Sequence, residues 1–170
     1  LGPARGADCL RRGAAAFGWA ERRARPSGKG RFRRGVGVAA ATHINGCFPG
    51  EEEETTATLA LRPDGRVGLI CALHDLGCGS DTTLAQIAAH PLGLAAGDIV
   101  IATADTETCP YDLGTRASRM THVVGEAVRQ AAEGLARDLR RAAALALNAA
   151  PEAVALGAGQ ARAGEAALPL

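Results

Sequence analysis

Residues 74–87, HDLGCGSDTTLAQI, form a glycine-rich turn between an apolar run and a segment with helical spacing. The apolar run directly before the turn has the length and composition of a buried strand. Gly77 and Gly79 allow the backbone to bend tightly and to approach a ligand closely, and Ser80 or Asp81 can cap the following helix. Because the N–H groups and the dipole at a helix start favour anions, the segment indicates either a phosphate site or an ordinary connecting turn.

The composition is that of a folded domain. The chain has 170 residues with a formal net charge of +1, and 47% of them are hydrophobic. This length and apolar content predict one domain with a sizeable core rather than a disordered segment. No apolar run reaches membrane-spanning length and no signal peptide is recognisable, so we expect a soluble, cytoplasmic chain with no membrane partner.

Charged and sulfur-containing residues give little sign of a further site. Basic residues cluster between Arg11 and Arg34. We interpret the cluster as a solvated helix face and loop and expect no nucleic-acid partner, although a nucleic-acid contact is the alternative. The cysteines lack CxxC spacing, which predicts free thiols and no metal site in this chain. They are Cys9, Cys47, Cys71, Cys78 and Cys109.

The remaining pattern predicts an α+β fold, in which a mixed or antiparallel sheet is packed by one long helix and shorter helices. The expected elements are a helix over 7–24, a strand over 35–44, strands over 55–62 and 67–73 in an antiparallel hairpin, a helix over 81–90 ended by the proline and glycine of residues 91–93, a strand over 98–104, the longest helix over 118–148 and a short strand over 153–156. Residues 157–170 have little pattern, and the glutamates at 51–54 are expected to be solvated.

The same pattern suggests a division of the chain into three parts. We expect an N-terminal helix and basic linker over 1–34, an α+β domain segment over 35–160 and a tail over 161–170. The histidines His43, His74 and His122 are expected to be structural or exposed, since nothing pairs them with a nucleophile or a metal.

A second loop, residues 105–121 with the sequence DTETCPYDLGTRASRMT, also runs from a predicted strand to a predicted helix start. Ser118 is a suitable N-cap, and its hydroxyl and N–H groups suit a phosphate. Arg119 offers a planar fork of donors that also suits a phosphate. The alternative is that Arg119 pairs with Asp112 or points into solvent.

At these two loops the chain resembles the large molybdenum-binding subunit of the xanthine dehydrogenase family, the molybdenum hydroxylases. The family's first pattern is matched by Asp75, Gly77, Gly79, Thr82 and Gln86. Its second pattern is matched by Asp105, Thr106, Pro110, Gly114, Ser118, Arg119, Thr121, Gly125, Ala127 and Val128. Segments at 17–19 and 34–39 also agree, so the resemblance extends over about residues 7–159.

The resemblance implies that the two loops bind a molybdenum-molybdopterin cofactor, often in its cytosine dinucleotide form. The resemblance places four residues near the molybdenum and the pyranopterin: Leu76, Gly77, Cys78 and Gly79. Ser80 completes the glycine-rich turn that these residues form. Thr82, Thr83 and Gln86 are placed on the following helix, in support of the turn. The resemblance places four further residues along the cofactor, where phosphate contacts are expected: Arg116, Ala117, Ser118 and Arg119.

The resemblance also implies an activity and partners. The family reaction is oxidative hydroxylation of a heterocycle, an aldehyde or a related small substrate, with water as the oxygen source. Electrons leave through iron–sulfur clusters and usually FAD, which lie on partner domains or subunits. The expected partners are therefore the remaining parts of the molybdenum subunit, the iron–sulfur and flavin components and the small-molecule substrate.

Two departures from the family pattern leave the activity open. Cys78 stands where the family usually has glutamine, and a thiol is a weaker hydrogen-bond donor than an amide. The family's glutamate base has no match, because residues 157–160 read GAGQ and Glu165 lacks the motif's setting. We therefore assign no catalytic residue. The chain is interpreted as a cofactor-binding segment of an enzyme, with a non-catalytic, truncated or decayed relative as the alternative.

Overall fold

The computed structural model describes residues 5–25, 28, 30–43, 46, 53–103 and 105–170. These residues contain four α-helices and six β-strands. The chain divides into one unit over Leu1–Thr42 and another over His43–Leu170. Among the described residues, no helix has both the length and the apolar character that a membrane crossing requires.

The first unit contains two short helices, α1 over Gly6–Phe17 and α2 over Trp19–Ala24. They replace the single helix predicted over 7–24, because Gly18 adopts a left-handed conformation with φ of 66° and ends α1. The strand predicted over 35–44 is wrong over 35–43, where the backbone forms neither helix nor strand, and residue 44 lies outside the described residues.

A three-stranded sheet forms the centre of the second unit. Strand β1 (Ala57–Leu61) pairs antiparallel with β2 (Val67–Cys71), which confirms the predicted hairpin. Strand β3 (Ile99–Ala102) pairs parallel with β2, so that β2 is central. The inward side chains of β2 are fully buried, as expected for a central strand. They are Val67, Leu69 and Cys71.

Two helices pack with this sheet and complete the main core. Helix α3 spans Ser80–Leu92 and α4 spans Gly125–Leu147. Pro91 lies inside α3, and the helix ends at Gly93, within the stop predicted over 91–93, where a φ of 64° is left-handed. At Gly125 the two helices approach closely, since a Cβ atom there would lie 3.0 Å from Cδ1 of Ile87.

The segment before α4 differs from a regular helix. The predicted long helix over 118–148 begins as a π-helix over Met120–Val124 and continues as α4. Wider turns of this kind are rare and are often found near functional sites. The α+β class, with one long helix and shorter helices against a mixed sheet, is confirmed.

A second, antiparallel sheet follows α4. It consists of β4 (Ala155–Gly157), β5 (Gln160–Ala163) and β6 (Ala166–Pro169), in that order. Residues 157–170, whose sequence shows little pattern, thus form regular strands, and the last predicted strand is shifted because Pro151–Ala153 form a 3₁₀ turn. The division of the chain at 34/35 and 160/161 stays a prediction.

Candidate functional site

The two loops singled out in the sequence lie on the same cavity. We call residues 74–79 the glycine loop and residues 112–119 the arginine loop. The cavity between them, here the inter-loop cavity, has a volume of about 390 Å³. Its described lining consists of His43, Leu76, Cys78, Ser80, Thr115, Arg116, Ala117, Ser118, Met120 and Thr121.

The loops are joined directly by a pair of hydrogen bonds. The hydroxyl of Thr115 donates to the carbonyl oxygen of His74 at 2.6 Å. The N–H group of His74 in turn donates to Oγ1 of Thr115 at 3.2 Å. These bonds connect residues 41 positions apart in the chain. They hold the end of the segment after β2 beside the arginine loop, and this keeps both walls of the cavity together.

The glycine loop is organised around its own carboxylate. Oδ1 of Asp75 accepts hydrogen bonds from the N–H groups of Gly77 at 2.8 Å and Gly79 at 3.1 Å. The bond from Gly77 is the main reason that the pKa of Asp75 lies below its ordinary value. Asp75 thus occupies the N–H groups of Gly77 and Gly79, and the binding of an anion at the start of the following helix stays a prediction.

The start of α3 also differs from the sequence prediction. Gly79 is the N-cap residue, in a left-handed conformation with φ of 75°, and as a glycine it makes no side-chain capping bond. Neither Ser80 nor Asp81 has the predicted capping role, because both lie within the first turn. Ser80 is buried, and its Oγ lies 2.9 Å from Sγ of Cys78, on the wall of the inter-loop cavity.

The resemblance placed three residues of α3 in support of the turn, Thr82, Thr83 and Gln86, and none of them is among the described lining of this cavity. Thr82 is exposed and is not among the described lining residues. Gln86 lines a different cavity, together with His90 and Arg129, between α3 and α4. Their part in cofactor binding stays a prediction, as does that of Gly77 and Gly79.

The arginine loop contains two consecutive residues in a left-handed conformation that L-residues rarely adopt. The φ angles are 48° at Ala117 and 58° at Ser118. Such conformations cost of order 1–3 kcal/mol each and persist only where neighbouring contacts enforce them. Ala117 is held from both sides, since its N–H donates to Nε2 of His43 at 3.3 Å and its carbonyl oxygen accepts from the N–H of Gly46 at 2.7 Å.

Ser118 does not cap a helix as predicted. The residue before the π-helix is Arg119, and its side chain makes no capping bond. Ser118 instead lies exposed on the wall of the inter-loop cavity. The left-handed backbone at Ala117 and Ser118 thus turns the chain so that residues 115–118 all face this space.

Arg119 is buried, with 2% of its surface exposed. Its Nε donates to Oε2 of Glu53 at 2.6 Å and its Nη1 donates to Oδ1 of Asp112, also at 2.6 Å. Burial lowers the pKa of the guanidinium, but the bonds to Asp112 and Glu53 outweigh it and the pKa is raised. The pairing with Asp112 that the sequence left as an alternative is thus confirmed, whereas the solvated state expected for Glu53 is wrong.

The donor set of the inter-loop cavity suits an anionic, oxygen-rich ligand. Arg116 is half-buried on its wall and brings a positive charge, and Ser118 and Thr121 bring hydroxyl groups. No aspartate or glutamate is found among the described residues that line it. Guanidinium and hydroxyl donors facing a partly enclosed space are the groups that bind phosphate oxygens.

Sequence reasoning missed four parts of this arrangement. His43, Thr115, Met120 and Thr121 line the cavity although none was assigned to it. Thr121 belongs to the second matched pattern, which was a usable signal. His43 had none, because its contact with Ala117 joins residues 74 positions apart.

A model of the molybdopterin cofactor-binding domain matches residues 12–169 of the chain. The chain belongs to this family. It is 36% identical over 127 residues to the xanthine dehydrogenase molybdenum-binding subunit of Escherichia coli O157:H7, an alignment that covers 74% of this chain and 17% of that protein. It is also 36% identical to the carbon monoxide dehydrogenase large chain of Afipia carboxidovorans, over 62% of this chain and 14% of that protein.

Solved structures agree with this assignment. The structure of quinoline 2-oxidoreductase from Pseudomonas putida 86 superposes with a TM-score of 0.62 and 32% identity, over 70% of this chain and 15% of that one. The predicted membership of the xanthine dehydrogenase family is confirmed, and residues 12–169 correspond to its molybdopterin cofactor-binding domain. The chain spans about a sixth of the length of the curated relatives it matches.

Proposed function

We propose that the inter-loop cavity holds the phosphate-bearing part of a molybdopterin cofactor in its cytosine dinucleotide form. The observation that carries this proposal is the position of Arg116 and Ser118 on a cavity whose opposite wall contains Cys78 and Ser80. The strained backbone at Ala117 and Ser118 is further support, because strain of this kind is concentrated at ligand sites.

Individual roles follow from side-chain chemistry. Arg116 is the expected charge partner of a phosphate, and the hydroxyl of Ser118 is an expected hydrogen-bond donor. Leu76, which is 74% exposed, provides an apolar surface at the edge of the cavity on which a planar ring can rest. When bound, the cofactor supplies a two-electron oxidation of a substrate carbon with oxygen from water.

The activity of the whole protein is part of the same proposal. We infer an oxidoreductase that hydroxylates a heterocycle, an aldehyde or a related small molecule, and the names of the relatives support this class. The remaining parts of the molybdenum subunit, and iron–sulfur and FAD components, are the proposed partners. No residue of this chain is assigned the role of the base, so turnover is assigned to the assembled protein.

Calorimetric titration of the chain with cytidine 5′-diphosphate tests the binding site. We expect saturable binding of one equivalent, and we expect Arg116→Met to weaken it by about tenfold or more, because a charge-assisted hydrogen bond is removed. Arg141→Met is the matched control, since Arg141 lies on α4 and is 72% exposed in a surface pair with Asp138. Absence of binding by the unmodified chain, or equal binding by the Arg116 variant, would contradict the proposal.

A further inference from the structure

We infer that Arg119 is a positioning residue, which sets ligand affinity in the inter-loop cavity by fixing the shape of the arginine loop without touching the ligand. This inference rests on the proposed function. It reassigns a residue whose guanidinium the sequence pattern placed along the cofactor, and it adds Asp112 and Glu53 to the groups on which the site depends.

The surroundings of Arg119 leave no room for a ligand contact. Its side chain is 1% exposed, and that of its partner Asp112 is 2% exposed. Besides the two carboxylates, the carbonyl oxygen of Gly114 accepts a hydrogen bond from Nη1 at 3.1 Å. Arg119 is also absent from the described lining of the inter-loop cavity, although Arg116, Ala117 and Ser118 directly before it belong to that lining.

The same bonds tie the two ends of the arginine loop together. Oδ1 of Asp112 accepts both from Arg119 and from the N–H group of Gly114, at 2.7 Å. Arg119 therefore binds the first residue of the loop, and through Gly114 its middle, while Glu53 anchors it to the segment that leads into β1. With its ends fixed in this way, the loop must accommodate residues 115–118 as a bulge, and the bulge faces the cavity.

This arrangement accounts for the strained backbone at Ala117 and Ser118. A left-handed conformation at two successive L-residues relaxes unless the surrounding structure prevents it. Loss of the guanidinium would remove the cation that pairs with the buried carboxylate of Asp112, which is strongly unfavourable. We therefore expect the loop to open when Arg119 is replaced, and the donors on Arg116 and Ser118 to lose their common orientation.

Amide hydrogen exchange of the ligand-free chain tests the positioning step. In Arg119→Met we expect exchange over 112–119 to accelerate by about tenfold or more, with protection in β2 and α4 retained. Arg119→Lys keeps one charge but cannot bridge both carboxylates, so its rate is expected between those of the unmodified chain and the Met variant. Unchanged exchange over 112–119 in both variants would overturn the inference. If Arg119→Met fails to fold, the exchange rates of Arg119→Lys over 112–119 decide whether the inference stands.

The binding step is tested with cytidine 5′-diphosphate at several salt concentrations. If Arg119 is a positioning residue, Arg119→Lys should weaken binding by about tenfold, while the salt dependence of the affinity stays that of the unmodified chain. Arg116→Met should weaken binding and also reduce the salt dependence, because it removes a charge that meets the ligand. If Arg119→Lys reduces the salt dependence of the affinity as much as Arg116→Met does, then Arg119 contacts the ligand directly and the inference is overturned. If the unmodified chain fails to bind the diphosphate, the proposed function fails, and the exchange measurement still decides whether Arg119 holds the loop.

Discussion

At the scale of single residues, Cys78 is the side chain that most clearly separates this chain from the family pattern. It stands at the cavity wall with Sγ 2.9 Å from Oγ of Ser80, so the thiol and the hydroxyl satisfy each other. A glutamine amide at this position would bring a stronger donor and a longer reach toward a ligand.

We therefore predict that Cys78→Gln strengthens binding of cytidine 5′-diphosphate by about fivefold, the value of one additional neutral hydrogen bond. Calorimetric titration measures the change, and Cys9→Gln, at an exposed cysteine of α1, is the matched control. Equal affinity before and after the change would favour the alternative that the chain retains the fold without a working cofactor site.

Other single residues show where pattern reasoning stops. The role of Asp75 could not be inferred, because the same glycine-rich turn can offer its N–H groups to a phosphate or to its own carboxylate. Arg119 was ambiguous for a related reason, since a planar fork of donors serves a ligand or a protein carboxylate equally well. Its second partner, Glu53, lies 66 positions away in the chain, a distance at which spacing carries no information.

At the scale of elements, the short connection after α3 controls how this helix meets the second sheet. Gly93 ends α3 in a left-handed conformation, and its carbonyl oxygen accepts a hydrogen bond from the N–H of Ala158 at 2.9 Å. A Cβ atom at Gly93 would lie 2.4 Å from the carbonyl oxygen of Leu156. Both the conformation and the close approach of β4 therefore require glycine.

We predict that Gly93→Ala lowers the free energy of unfolding by about 2 kcal/mol or more. The alanine would have to adopt a left-handed conformation, and its Cβ would also clash with the backbone of β4. Urea denaturation followed by circular dichroism measures this loss. Gly97→Ala is the control, because that glycine lies in the 3₁₀ turn over Ala96–Asp98 with open space around its missing Cβ. A loss at Gly93 no larger than that at Gly97 would contradict the assigned packing of α3 against β4.

The elements differ in how well the sequence predicted them, and the amino-acid composition of the strands explains much of the difference. β1, β2 and β3 come from apolar runs bounded by turn residues, and their predicted positions were close to those observed. Strands β4, β5 and β6 are no longer than β3 but lack its run of isoleucine and valine, so that no apolar segment stands out in their sequence. The fully buried residues of their small core are also small: Ala143, Ala144, Val154 and Ala161.

At the scale of the whole molecule, several carboxylates are stabilised in their charged form by the fold. The pKa of Glu126 is lowered to about 2, chiefly by its hydrogen bond with Arg129. The pKa of Asp64 is lowered chiefly by Arg66, that of Asp75 by the N–H of Gly77, and that of Asp105 by the N–H of Glu107. All four groups bind protons more readily in the unfolded chain, where carboxylates titrate near pH 4.

Because the unfolded state binds more protons, the stabilisation from these groups is fully present above about pH 4 and is lost as the pH falls through their folded values. We predict that the free energy of unfolding decreases progressively between about pH 4 and pH 2, as measured by urea titration at fixed ionic strength. Asp75→Asn should make this decrease shallower. A stability that rises with acidification over this interval would contradict the hydrogen bonds assigned to these carboxylates.

The adjacency of the two loops was the part of the site that the sequence predicted best. The resemblance to the family implied that both loops face one ligand, and the structure joins them through Thr115 and His74. The direction of individual donors was not predictable, because it depends on the left-handed pair at Ala117 and Ser118 and on contacts made across the fold.

The most direct test of the central claim is amide chemical-shift mapping of the isotope-labelled chain during titration with cytidine 5′-diphosphate. If the inter-loop cavity holds the phosphate-bearing part of the cofactor, the largest saturable shifts will fall in residues 76–80 and 115–121 together. Shifts confined to one loop, shifts centred on the cavity beside Gln86 and His90, or no saturable shifts at all would contradict it.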